Sequence, residues 1–314
     1  MGADAIAAAR PLAASAKKVH AISLRAIPRV LQAAPQPGAN GVTHQSECSI
    51  DWTNERVAPG VAVIERSPEA EAFLATIDKS DPRGISSCDG WTTHEIAAHI
   101  TGIAVEVNRH LDPFLQGDPV PETRSFEERE DPLRAIEYAD LLNRLDTEEL
   151  RMRRLVADVL EMNPESVIPW TGRRMAVAKF IPHLRNEHAL HRWDIVGDDE
   201  LSITLLGQSD LSQHSVEVLG QILLVAGRKR DPEPDTDFYA CLHSEGQRDL
   251  SVVLQEGEGS LRWDENSSRE PSVVGDPAAR LLFIWGRRPE GSGRLRSYLA
   301  PDELSRLQAL LSGY

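Results

Sequence analysis

The chain has 314 residues, enough for two domains, and its 41% hydrophobic and 26% charged content can bury a core. A net charge of −15 leaves no basic face for a phosphate backbone and argues against nucleic acid as a partner; no apolar run approaches the about 20 residues needed to cross a bilayer. Cys48, Cys88 and Cys241 form neither a CxxC pair nor a disulfide framework, which points to a reducing cytoplasm. Arginine far outnumbers lysine and alanine is abundant, the coding bias of a GC-rich genome such as an actinobacterial one.

Residues 1–50 stand apart. They are alanine-rich, carry a net charge of +3 and end in the linker-like run APQPGANG. They lack the continuous apolar core of a secretory signal, so we read them as an extension outside the folded body, with a misplaced start or a transit peptide as alternatives. A helical pattern then covers 56–79, followed by the polar loop DPRGISSCDG. Thr92 with Glu95 three residues later forms a capping box that opens a helix with Ile96, His99, Ile100, Ile103 and Val107 on one stripe. The proline-rich, acidic stretch 116–132 reads as a loop. Helices are expected at 133–143, at 146–162 from an Asp146 cap, at 174–195 and at 208–228, where GRKRDPEPD marks a helix end and a domain boundary.

Beyond Asp235 the texture changes. DFYACLH, LSVVLQE and SLRW alternate like strands; PSVVGDPAARLLFIWGRR reads as a strand, a turn and a helix capped at Asp276; RLRSYLA and 302–311 close the chain as strand and helix. The expected fold class is α+β: a helical part over 51–230 and a small α+β domain over 235–314.

The chemistry concentrates in HLRNEHALHRWD. Glu187 and His191 are four apart and share a helix face, so they can grip one metal ion, with His99 from the other helix as a third ligand. Each has a plainer reading: His99 as a buried, hydrogen-bonded histidine, Glu187 and His191 as an exposed pair. His183 lies on the same stripe and competes as a ligand, whereas His188 stands off it. Asp194 either orients His191 from behind or belongs to the helix end. Cys88, just before a helix N-terminus, is a thiol of either reactive or incidental character. Arg287 and Arg288 either clamp a substrate carboxylate or are surface charge. The chain contains no GxSxG, GxGxxG, P-loop or HExxH.

Three segments resemble the mycothiol-dependent maleylpyruvate isomerase family. SCDGWTTHEIAAHI is similar to its Cys-Pro-Gly-Trp-Thr signature, with Asp89 in place of the usual proline; HLRNEHALHRWDIVGD is similar to its Glu-x-x-x-His-x-x-Asp helix; SVVGDPAARLLFIWGRR is similar to its C-terminal Gly-Asp…Trp-Gly-Arg segment. The resemblance implies a DinB-like four-helix bundle followed by a sterol-carrier-like (SCP2-like) α+β domain. It also implies a divalent metal, zinc, on His99, Glu187 and His191, mycothiol as thiol cofactor, and a catalytic role for Arg287. The expected activity is isomerisation or S-transfer on a small electrophile, carboxylate-bearing among the options, by a monomer without membrane partners. A non-enzymatic small-molecule or lipid binder, and a metal-dependent hydrolase on the same bundle, are the alternatives. No other cofactor-binding residue is assigned.

Overall fold

The computed structural model describes residues 65–88, 90–256, 258–264, 269–289 and 293–312. The extension 1–50, the start of the helix expected at 56–79, Cys48 and Asp89 lie outside them.

The first described helix, α1 (Pro68–Ile77), is capped by Ser67, whose side chain accepts from the Ala70 amide. Helix α2 (Thr93–Gln116) opens on the expected box: the Glu95 carboxylate accepts from the Thr92 amide at 2.8 Å, and the Thr92 hydroxyl accepts from the Glu95 amide at 3.2 Å. The stretch expected to be a loop contains instead α3 (Phe126–Arg134). Ser125 and Glu128 form a second capping box there, and burial of Glu130 and Leu133 holds the short helix down despite its proline and charges.

Helix α4 (Tyr138–Met162) is continuous where two helices were expected. Asp146 is not a cap but sits mid-helix, paired with Arg66. A hairpin of β1 (Val167–Trp170) and β2 (Arg173–Ala176) follows, turned by Thr171 and Gly172, both at positive φ. It displaces the start of the next helix, α5 (Phe180–Val196), from the expected position near 174. The helix expected over 208–228 is divided into α7 (Ser209–His214), a π segment (Ser215–Leu219) and α8 (Gly220–Gly227), after a short α6 (Glu200–Leu206). Gly227 is needed for packing: a Cβ there would fall 1.8 Å from the Leu310 carbonyl oxygen.

The C-terminal part is a five-stranded sheet with β3 (Phe238–His243), β4 (Leu250–Gln255), β5 (Glu258–Trp263), β6 (Val273–Gly275) and β7 (Leu295–Ser297) in the order β5-β4-β3-β6-β7. The β3–β6 pair is parallel and the others are antiparallel. Helix α9 (Pro277–Ile284) carries the expected Asp276 cap, and α10 (Pro301–Leu310) closes the chain. The fold is therefore α+β. Among the described residues no helix is long and apolar enough to cross a membrane.

Two hydrophobic clusters organise these elements. One joins α1, α2, α4, the hairpin and the start of α5, through Phe73, Ile100, Leu145, Met152 and Phe180. The other joins the sheet, α9 and α10 to Ala189 and Leu190 of α5 and to Leu205, Leu211 and Leu224. Helix α5 thus runs from one core into the other and is buried on nearly every side, which is why it shows no clear apolar stripe.

Candidate metal centre

Helix α5 presents Glu187 and His191 one turn apart, and α2 presents His99 opposite them. All three are at least 95% buried. The Nε2 atoms of His99 and His191 lie 3.5 and 3.4 Å from the same oxygen, Glu187 Oε2. In a tetrahedral site with bonds of about 2.0–2.1 Å, neighbouring donor atoms stand about 3.3 Å apart, so these separations suit three ligands of one small cation. The other Glu187 oxygen, Oε1, is buried without a hydrogen-bond partner.

The opposite edge of each imidazole is fixed. His191 Nδ1 lies 2.9 Å from Asp194 Oδ2, and His99 Nδ1 lies 2.7 Å from Glu130 Oε1. A carboxylate at Nδ1 favours the tautomer with its proton there and leaves Nε2 as a lone-pair donor. Both carboxylates are themselves held by arginine. Arg287 spans Asp194 with Nε at 3.1 Å and Nη2 at 2.5 Å, and Arg134 reaches Glu130 at 3.2 Å. Gly286, at φ 81°, makes the turn after α9 from which Arg287 reaches α5. Trp91 covers the centre, its ring 5.2 Å from that of His99 and stacked at 6.1 Å on that of His191; Phe126 faces His99 at 5.6 Å.

Burial opposes charge in this cluster, and its internal contacts overcome that. Burial would raise the Glu187 carboxyl, but hydrogen bonds from His191 and His99 hold it well below its ordinary value. Burial would lower His99, but Glu130 and Glu187 bring it up to about 9. Asp194, against the same desolvation, is held near 2 by Arg287 and His191.

The remaining candidates separate clearly. His188 points away and pairs at 2.6 Å with the buried Glu149. His183 stays beside the cluster, its Nε2 3.6 Å from Glu187 Oε1, and its Nδ1 faces His214 at 3.4 Å. Burial pushes His183 down to about 4 and His214 to about 2, so both are neutral. Cys88 is half-buried, and its Sγ groups within 4.8 Å of ligand atoms of His191 and Asp194. Arg288 turns to the Gln308 carbonyl. Glu130, Arg134 and Phe126 were missed because their segment reads as a loop; the pair Ser125 and Glu128 was the signal that a helix starts there.

Residues 67–196, which carry all three clustered side chains, match the family model described as the mycothiol maleylpyruvate isomerase N-terminal domain. The match covers the helical segment that holds the cluster and leaves the C-terminal sheet outside it. Among solved structures, the chain is similar to the mycothiol-dependent maleylpyruvate isomerase and to a histidine-to-alanine variant of it. Each is 15% identical, with a TM-score of 0.46, over 74% of this chain and 91% of that one. No curated protein matches the chain. Within the matched segment, Trp91 covers the cluster and His99 belongs to it.

Proposed function

We propose that this protein is a metal- and thiol-dependent enzyme of the mycothiol-dependent maleylpyruvate isomerase type, acting on a small electrophile by cis–trans isomerisation or S-transfer. The observation that carries this reading is the convergence of two Nε2 atoms on Glu187 Oε2, with each Nδ1 already committed to a carboxylate. Two imidazoles and one carboxylate suit a divalent metal, zinc above all, with a position left open for a ligand. The metal would supply the positive charge that deprotonates a bound thiol and makes it a nucleophile at neutral pH.

The rest is the work of the chain. Glu130 and Asp194 hold the Nδ1 edges of the two imidazoles and so aim each Nε2 at Glu187. Trp91 and Phe126 shield the cluster from water, which strengthens its electrostatics. Arg287, with two nitrogens of its fork engaged by Asp194, acts through Asp194 on His191 rather than as the free substrate clamp that the sequence suggested. The reactive thiol comes from mycothiol. We read the helical part over 51–230 as the DinB-like bundle and 235–314 as the SCP2-like domain.

The test is metal analysis of the purified protein followed by mycothiol consumption against a panel of electrophiles. Metal-dependent consumption supports the reading; a protein that holds metal but never consumes mycothiol overturns its thiol half.

A further inference from the structure

A carboxylate-bearing substrate needs a cation, and the arginines around the centre are mostly engaged. Arg287 holds Asp194, Arg134 holds Glu130, Arg109 and Arg124 share Glu106, and Arg173 donates to the Val218 carbonyl. Arg129 differs. Among the described residues no carboxylate lies within ion-pair distance of it, and its Nε is buried without a hydrogen-bond partner. Arg66, Arg134, Arg192 and Arg280 also lack a hydrogen-bond partner at Nε, so what sets Arg129 apart is that its charge has no carboxylate beside it.

The position of Arg129 follows from α3. Phe126, Arg129, Glu130 and Leu133 recur at helical spacing and so share one face. Phe126 and Glu130 on that face both meet His99. The Arg129 guanidinium lies over the Phe126 ring, 5.8 Å from its centroid. Gly102, three residues beyond His99 on α2, lets this face come close: a Cβ there would stand 3.2 Å from Glu130 Cγ and 3.8 Å from Arg129 Cβ. The guanidinium is therefore on the side of α3 that faces the cluster, with its stem held by α2.

We propose that Arg129 is the cation that binds a carboxylate of the substrate beside the His99–Glu187–His191 cluster. The assignment rests on the functional reading given above. A guanidinium offers the carboxylate two parallel hydrogen bonds, and the Phe126 face beneath it limits the orientations it can take.

The test is a calorimetric titration of the full-length, zinc-loaded protein with maleate as the probe. The wild type is compared with Arg129→Met, which keeps most of the stem, with Arg129→Lys, and with Arg262→Met, an equal loss of charge on β5 of the sheet. Arg129→Met should weaken maleate binding about tenfold or more with metal content and melting temperature unchanged, Arg129→Lys should recover part of it, and Arg262→Met should bind as the wild type does. Absence of saturable binding by the wild type, unchanged affinity in Arg129→Met, or equal weakening in Arg262→Met would overturn the proposal. Failure of the thiol-dependent reading has a separate signature, a wild type that consumes no mycothiol whether or not maleate binding follows Arg129.

Discussion

Arg287 and Asp194 are 93 residues apart in sequence and joined by two hydrogen bonds, at 3.1 and 2.5 Å, directly behind the imidazole of His191. The C-terminal half of the chain thus reaches the centre through a positioning contact. Arg287→Lys should lower metal affinity about 10–100-fold, because an ammonium cannot hold both Asp194 oxygens. Competition with a chromophoric chelator measures this. A substrate clamp would behave differently: metal affinity would stay intact and only KM would rise.

Glu130 should behave as the counterpart of Asp194 for His99. Glu130→Ala removes the Nδ1 acceptor and should weaken metal binding by a factor of similar size, whereas Glu130→Gln keeps an acceptor oxygen and should lose less. Equal losses in the two variants, tracking a fall in melting temperature, would reduce Glu130 to a packing residue.

His188 tests the choice among the histidines. Its Nε2 is committed to the buried Glu149, which is outside the cluster. His188→Ala should leave metal stoichiometry unchanged but cost on the order of 3 kcal/mol in urea unfolding, since a buried carboxylate loses a partner. Loss of metal in this variant would mean that the ligand set is wrong.

Acid stability should depend on Glu69, which ties α1 to Arg185 of α5 and to Gln208. Burial raises its carboxyl, but the Arg185 and Gln208 hydrogen bonds prevail and hold it near 2 instead of 4.5. A depressed carboxyl contributes stability that is present above pH 4.5 and lost as pH falls towards 2. Glu69→Gln should therefore flatten the melting temperature over that window. An unchanged acid slope would show that other carboxylates control it.

The α+β class, the Thr92 and Asp276 caps and the strands after Asp235 were legible because each carries a local pattern: a capping pair or strict alternation. The three clustered residues were legible from spacing and from the family motifs. The supports behind them were not. Glu130 lies in a segment whose prolines and acids read as a loop, and its role depends on burial against α2, which no local pattern encodes. The sequence pointed to both residues of the Arg287–Asp194 pair but not to their contact, because a separation of 93 residues leaves no periodic trace. The boundary proposed near 230 has a similar difficulty: α6, α7 and α8 precede it in sequence yet share a core with the sheet.

The most direct measurement is the metal content of the purified wild type and of His99→Ala and His191→Ala after reconstitution with zinc and dialysis. The account predicts about one equivalent of metal in the wild type and a near-complete loss in each variant, with the helical circular dichroism spectrum retained. A wild type that holds no metal, or variants that keep a full equivalent, would contradict it.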